Sequence, residues 1–134
     1  FNLFEKIHHI GIAVKNLENS MKFYEDILNF KIKYIEELKE NKVKVASYKI
    51  GDVNIELLEP LTDDSPIKSF LDKRGEGIQH IAFLVKDINK TLEELKEKGV
   101  SLIDEKPRYG SHNTKKAFIH PKSTFGVLNE LVEE

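Results

Sequence analysis

The sequence predicts an α+β fold in which two βαβββ modules form a curved mixed sheet around a cleft. A short stretch occurs twice, as His9-Ile10-Gly11-Ile12-Ala13-Val14-Lys15-Asn16-Leu17 and, 71 residues on and without a gap, as His80-Ile81-Ala82-Phe83-Leu84-Val85-Lys86-Asp87-Ile88. Each copy alternates as a half-buried strand does and ends where a helix-capping residue stands. Each is also followed by strand-like segments, the last of which holds a glutamate among apolar residues. These are Ile55-Glu56-Leu57-Leu58 and Asn129-Glu130-Leu131-Val132. The 134 residues are therefore read as one domain of two repeats, about 5–61 and 76–134, joined by a short helical linker over 62–75.

The bulk properties narrow the field. Apolar residues make up 40% of the chain, enough for a core at this length. A net charge of -2, with no basic patch mixed with aromatics, argues against a nucleic-acid partner. No apolar run reaches the roughly 20 residues of a membrane helix, and no secretory leader is visible. The absence of cysteine excludes disulfides and thiolate ligands. A cytoplasmic location is expected.

The elements follow in order. Ile7 to Val14 reads as a strand, with Ile10, Ile12 and Val14 on a helix-packing face and His9, Gly11 and Ala13 on the other. Asn16 or Asn19 caps a helix bearing Leu17, Met21, Tyr24 and Leu28, and Asn29 stops it. Phe30 to Glu37 is the next strand, with Phe30, Ile32 and Tyr34 on one face. A turn at Glu40-Asn41-Lys42 leads into Val43 to Ile50, and Gly51-Asp52 into Val53 to Glu59, closed by Pro60. Ser65-Pro66 opens a linker helix over Ile67 to Lys73. In the second repeat, Ile78 to Val85 is a strand and Asp87 caps a helix over Ile88 to Lys98, closed by Gly99. Val100 to Ile103 is a short strand, Pro107 to Thr114 a loop, Lys115 to His120 a strand, and Val127 to Val132 the last strand.

The chemistry concentrates where the repeats agree. A carboxylate buried among apolar side chains is costly unless something compensates its charge. Glu56 and Glu130 have no adjacent cation in sequence. A lone histidine on a strand is usually a hydrogen-bonded core residue, and a glutamate on an amphipathic strand usually faces solvent. The recurrence of both in both halves points instead to two imidazoles and two carboxylates at one divalent ion. Such a sulfur-free set suits zinc, manganese, cobalt, nickel or iron. Other polar residues have plainer readings. His8 lies on the face opposite His9, and His120 is expected to bond to the turn after it. His112 sits at a loop tip, and Lys115, Lys116 and Lys122 are lysines with solvent as their default partner.

The repeated module with its paired His and Glu resembles the vicinal oxygen chelate superfamily. Within it, the chain is similar over nearly its whole length to the methylmalonyl-CoA epimerase family. The matching motifs are His9-Ile10-Gly11-Ile12-Ala13-Val14, Glu56-Leu57-Leu58-Glu59-Pro60-Leu61, Asp64-Ser65-Pro66-Ile67, His80-Ile81-Ala82-Phe83, His120-Pro121-Lys122-Ser123 and Gly126-Val127-Leu128-Asn129-Glu130-Leu131. The His strand marks only the superfamily, whereas the His-Pro-Lys turn followed by Gly-Val-Leu-x-Glu-Leu is more specific.

The resemblance implies metal ligands at His9, Glu56, His80 and Glu130, and one divalent ion per chain. Cobalt or manganese is favoured, with zinc or nickel as alternatives. It implies an isomerase of propionate metabolism that interconverts (2R)- and (2S)-methylmalonyl-CoA by removing the C2 proton through a metal-stabilised enolate. It also implies a homodimer acting on an acyl-CoA. Glu130 is the first choice for one acid/base group; for the other the candidates are Glu56, Lys44 and a metal-bound water. Some relatives use a glutamate on the third strand, where this chain has Val43-Lys44-Val45-Ala46-Ser47 and no carboxylate. Lys122, Ser123 and the loop bearing His112 are candidate CoA contacts. The alternatives are a lactoylglutathione lyase with the same ligands, an extradiol dioxygenase, and a metal-free drug-sequestering protein. The last class does not keep all four ligands.

Overall fold

A computed structural model describes residues 2–134. The chain forms two compact units: His9–Gln79, and His80–Glu134 with the N-terminal segment up to His8. The first unit holds the second half of β1 (Phe4–Ala13, from His9 on), then α1 (Leu17–Lys22), β2 (Ile32–Leu38), β3 (Val43–Ile50), β4 (Val53–Pro60) and α2 (Pro66–Arg74). Its strands lie in the order β2-β3-β4-β1. β1 runs parallel to β4 and the other neighbours are antiparallel. The second unit holds β5 (Gly77–Val85, from His80 on), α3 (Ile88–Glu97), β6 (Arg108–Tyr109), β7 (Lys115–Ile119) and β8 (Asn129–Glu133). Its order is β5-β8-β7-β6, with β5 and β8 parallel. Each unit is thus a mixed sheet with the module order that the sequence predicts. Among the described residues no helix is long and apolar enough to cross a membrane.

The same device starts a helix in both units. Asn16 and Asp87 are the N-caps, accepting from the N–H of Asn19 and Lys90. The Ser20 and Thr91 hydroxyls donate back to the cap carbonyls. A glutamate on the last long strand then accepts from the first helical N–H: Glu59 from Leu17 at 2.8 Å, Glu133 from Ile88 at 2.9 Å. Helix N-termini leave such donors unsatisfied and carry partial positive charge, so a carboxylate there is favoured twice over. Glu59 and Glu133 each follow Glu56 and Glu130 by three positions. On a strand that spacing puts the two side chains on opposite faces.

The cores follow from strand parity. On one face of the first sheet, Ala13, Val43, Val45 and Leu58 pack with Ile67 and Leu71 of α2. On the other, Val14, Ala46, Tyr48 and Leu57 pack with Leu17 of α1, and Met21, Tyr24, Phe30 and Ile55 close over them. In the second unit Val85, Ala117, Ile119 and Leu131 meet Ile88 and Leu92 of α3.

Tyr48 ties the helical turn after α1, Phe23–Ile27, to this core. It is fully buried, stacks on Tyr24 and donates to the Glu25 carboxylate at 2.9 Å. Burial first, and Glu25 second, push its phenol above the ordinary tyrosine range. A raised folded pKa gives stability that is complete below the unfolded value of about 10 and is lost as pH rises past it. Tyr48→Phe should cost about 1–2 kcal/mol at neutral pH through the lost hydrogen bond. It should also flatten the fall in Tm above about pH 10. Thermal melts across that range check both, and an unchanged alkaline slope would clear Tyr48 of the effect.

Three expectations are corrected. The helix after Asn16 is α-helical only to Lys22 and continues as a π-helical turn over Phe23–Ile27, closed by a Leu28 N–H to Phe23 carbonyl bond. Val100 to Ile103 makes no strand beyond a bridge between Leu102 and Ile119. The Ile103 and Asp104 N–H groups both converge on the Phe118 carbonyl, so no regular ladder forms. The edge strand is instead β6, inside the segment read as loop. Phe30 and Tyr34 do not share a face. Phe30 precedes β2 and joins the α1 side, Tyr34 packs on the α2 side, and a register shift falls between Ile32 and Tyr34.

Candidate metal-binding site

Each unit brings one histidine to one glutamate. In the first, His9 on β1 and Glu56 on β4 lie on adjacent parallel strands, with Gly11 directly beside Glu56. The His9 Nε2 stands 3.5 Å from Glu56 Oε1, and the side chains are only 8% and 12% exposed. In the second, His80 on β5 and Glu130 on β8 lie on the equivalent parallel pair. Their Nε2 and Oε1 are 3.4 Å apart and the side chains 7% and 6% exposed.

These separations exceed the roughly 2.7–2.9 Å of a tight charge-assisted hydrogen bond. They match two ligands of one ion, because donor atoms at about 2.0–2.2 Å from a metal stand about 2.8–3.6 Å from each other. The donor set is imidazole plus carboxylate in both pairs, as a borderline divalent ion prefers. Burial adds the electrostatic reason: a low-dielectric surrounding disfavours an uncompensated carboxylate. The residues therefore fit a divalent cation.

The surroundings of the two pairs differ. Across β7 from Glu130 stands Phe118, whose ring meets the His80 imidazole edge-on at 6.0 Å and lies under the Arg108 guanidinium. Across β3 from Glu56 stands Ser47, fully buried. The neighbour on the His strand is Gly11 in the first unit and Ala82 in the second. The first pair thus has small neighbours where the second has an aromatic wall.

The other candidates are less central. Lys122 is exposed in the turn Pro121–Ser123 and donates its N–H to His120 Nδ1, the local bond expected for His120. The Ser123 hydroxyl accepts from the Ser101 N–H. His112 is exposed in the loop between β6 and β7, at φ 56. His8 pairs with Glu134 at 3.1 Å. Sequence reasoning missed the anchoring role of Glu59 and Glu133. The signal was a glutamate three positions after each candidate ligand in both halves.

The chain belongs to the Glyoxalase/Bleomycin resistance protein/Dioxygenase superfamily, whose model matches residues 8–118. Within that superfamily several relatives that match it over nearly its full length are methylmalonyl-CoA epimerases, enzymes of the isomerase class. It is 38% identical over 127 residues to the mitochondrial methylmalonyl-CoA epimerase of Homo sapiens, covering 94% of this chain and 72% of the relative. A Streptomyces coelicolor methylmalonyl-CoA epimerase variant, solved in complex with 2-nitronate-propionyl-CoA, superposes with a TM-score of 0.93 at 36% identity. That match covers 98% of this chain and 95% of the other. The uncharacterized protein YqjC of Bacillus subtilis is 45% identical over 128 residues, 96% of this chain and 91% of that one. The fold is the one these epimerase structures share.

Proposed function

We propose that the protein is a divalent-metal-dependent epimerase of methylmalonyl-CoA, with His9, Glu56, His80 and Glu130 as the four ligands of one ion. The observation that supports it most is the buried His-Glu pair, repeated on parallel strands in both units of a chain homologous to such epimerases. A bound ion, cobalt or manganese by preference, would act as a Lewis acid toward the charge that develops on the substrate oxygens.

The protein's residues supply the rest. The C2 proton lies between a thioester and a carboxylate, so it is acidic enough for a carboxylate base. Glu130 in its ionised form takes the C2 proton from one face, and Glu56, which enters that turnover protonated, gives its own proton to the opposite face, so the centre inverts and the two carboxyl groups exchange protonation states. Burial of both carboxylates keeps water from competing for the proton. Imidazole rings offer Nε2 as the lone-pair donor, so His9 and His80 act in the neutral form. Phe118 walls the Glu130 side, and the smaller neighbours Gly11 and Ser47 flank the Glu56 side. Lys122, Ser123 and His112 are contacts for the CoA portion. The same reading takes the protein to be a cytoplasmic homodimer.

The test is isotopic. Incubated with cobalt and (2S)-methylmalonyl-CoA in deuterated water, the protein should place deuterium at C2 and yield both epimers. Absence of both exchange and the second epimer would overturn the proposal.

A further inference from the structure

Ser47 is fully buried, and its hydroxyl has no hydrogen-bond partner among the described residues. A buried hydroxyl without a partner destabilises a fold, and such groups are few in well-packed proteins. Alanine would fill the same place on β3 without that cost. The position is also a specific one. Ser47 stands directly opposite Glu56 in the antiparallel β3/β4 ladder, so the two side chains share a face and are near neighbours. Beyond Glu56 in the same row is Gly11 of β1, which has no side chain to intervene, and His9 follows two residues before it. The equivalent place in the second unit, opposite Glu130, is Phe118 and offers no donor. The donor is therefore specific to one of the two carboxylates.

We propose that Ser47 is a positioning residue for Glu56: its hydroxyl donates to the Glu56 carboxylate when that carboxylate holds a divalent ion. This rests on the reading of Glu56 as a ligand. Ligating carboxylates are themselves held by hydrogen bonds, which fix their orientation and strengthen the site. The Glu56 Oε1 lies 3.5 Å from the His9 Nε2, and the Ser47 hydroxyl beside it has no hydrogen-bond partner among the described residues.

The experiment titrates cobalt alone into the purified metal-free protein and compares Ser47→Ala with Glu56→Ala. It reads affinity, the visible spectrum of bound cobalt and the Tm without metal. Ser47→Ala should bind cobalt about tenfold more weakly, at the lower end of what such supporting contacts give. Its spectrum should shift, while its metal-free Tm stays equal to or above that of the unmodified protein. A residue that merely packs would lower the metal-free Tm and leave affinity and spectrum alone. If Glu56→Ala weakens cobalt binding and Ser47→Ala leaves affinity and spectrum unchanged, the positioning role is wrong and the ligand reading stands. If Glu56→Ala itself binds cobalt normally, the ligand reading fails and the role of Ser47 falls with it.

Discussion

His80→Ala should leave a folded protein that binds its divalent ion at least about 100-fold more weakly, beyond the roughly 10–100-fold that loss of a supporting contact produces. The imidazole lies beside Glu130 at 3.4 Å and against the edge of Phe118, and alanine removes the nitrogen ligand without replacing it. Epimerisation should fall in parallel, because the Lewis acid is lost with the ion. The core of the unit, built by Val85, Ile88, Leu92, Ala117, Ile119 and Leu131, does not include His80, so folding should survive. Metal content after dialysis, together with circular dichroism, checks this. A His80→Ala protein with stoichiometric metal and full activity would remove His80 from the ligand set.

Glu130→Gln separates two roles that the proposal gives to one side chain. The amide keeps an oxygen for the ion and nearly the same shape, but it cannot take a proton. Epimerisation should drop by about 10²–10⁴-fold, the range for loss of an acid/base group, while cobalt affinity falls far less than in His80→Ala. The two faces need not fail together. If Glu56 serves the other face, exchange of the C2 proton should persist for one epimer and vanish for the other. Single-turnover exchange in deuterated water, run from each epimer, reads this directly. Equal losses from both epimers at full metal occupancy would mean that Glu56 is not the second base.

Much of the fold was legible because it is repeated. One histidine strand recognised twice sets the module length, and the caps at Asn16, Asp87 and Ser65 are local hydrogen-bonding choices that short-range sequence encodes. The histidine-glutamate pairs were legible for the same reason. What escaped depends on contacts between distant segments. Leu17, Met21, Tyr24 and Leu28 continue at helical spacing, and nothing in that pattern marks the π turn, which is closed by the Leu28 N–H on the Phe23 carbonyl. Val100 to Ile103 has strand-like residues but docks through Asp104, whose carboxylate accepts the Phe118 N–H. A serine in an apolar strand means little until the register sets Ser47 opposite Glu56.

The bonds from Glu59 to Leu17 and from Glu133 to Ile88 act as a check on strand register. Slipping β4 or β8 by one residue would turn every side chain to the wrong face. Glu56 or Glu130 would leave its histidine, and Leu57 or Leu131 would leave its core. The same slip would pull Glu59 or Glu133 off the helix start, so an error on the metal side is felt at once on the helix side. In each module the bond from Glu59 or Glu133 to the helix start therefore holds the strand in the register that keeps Glu56 or Glu130 beside its histidine.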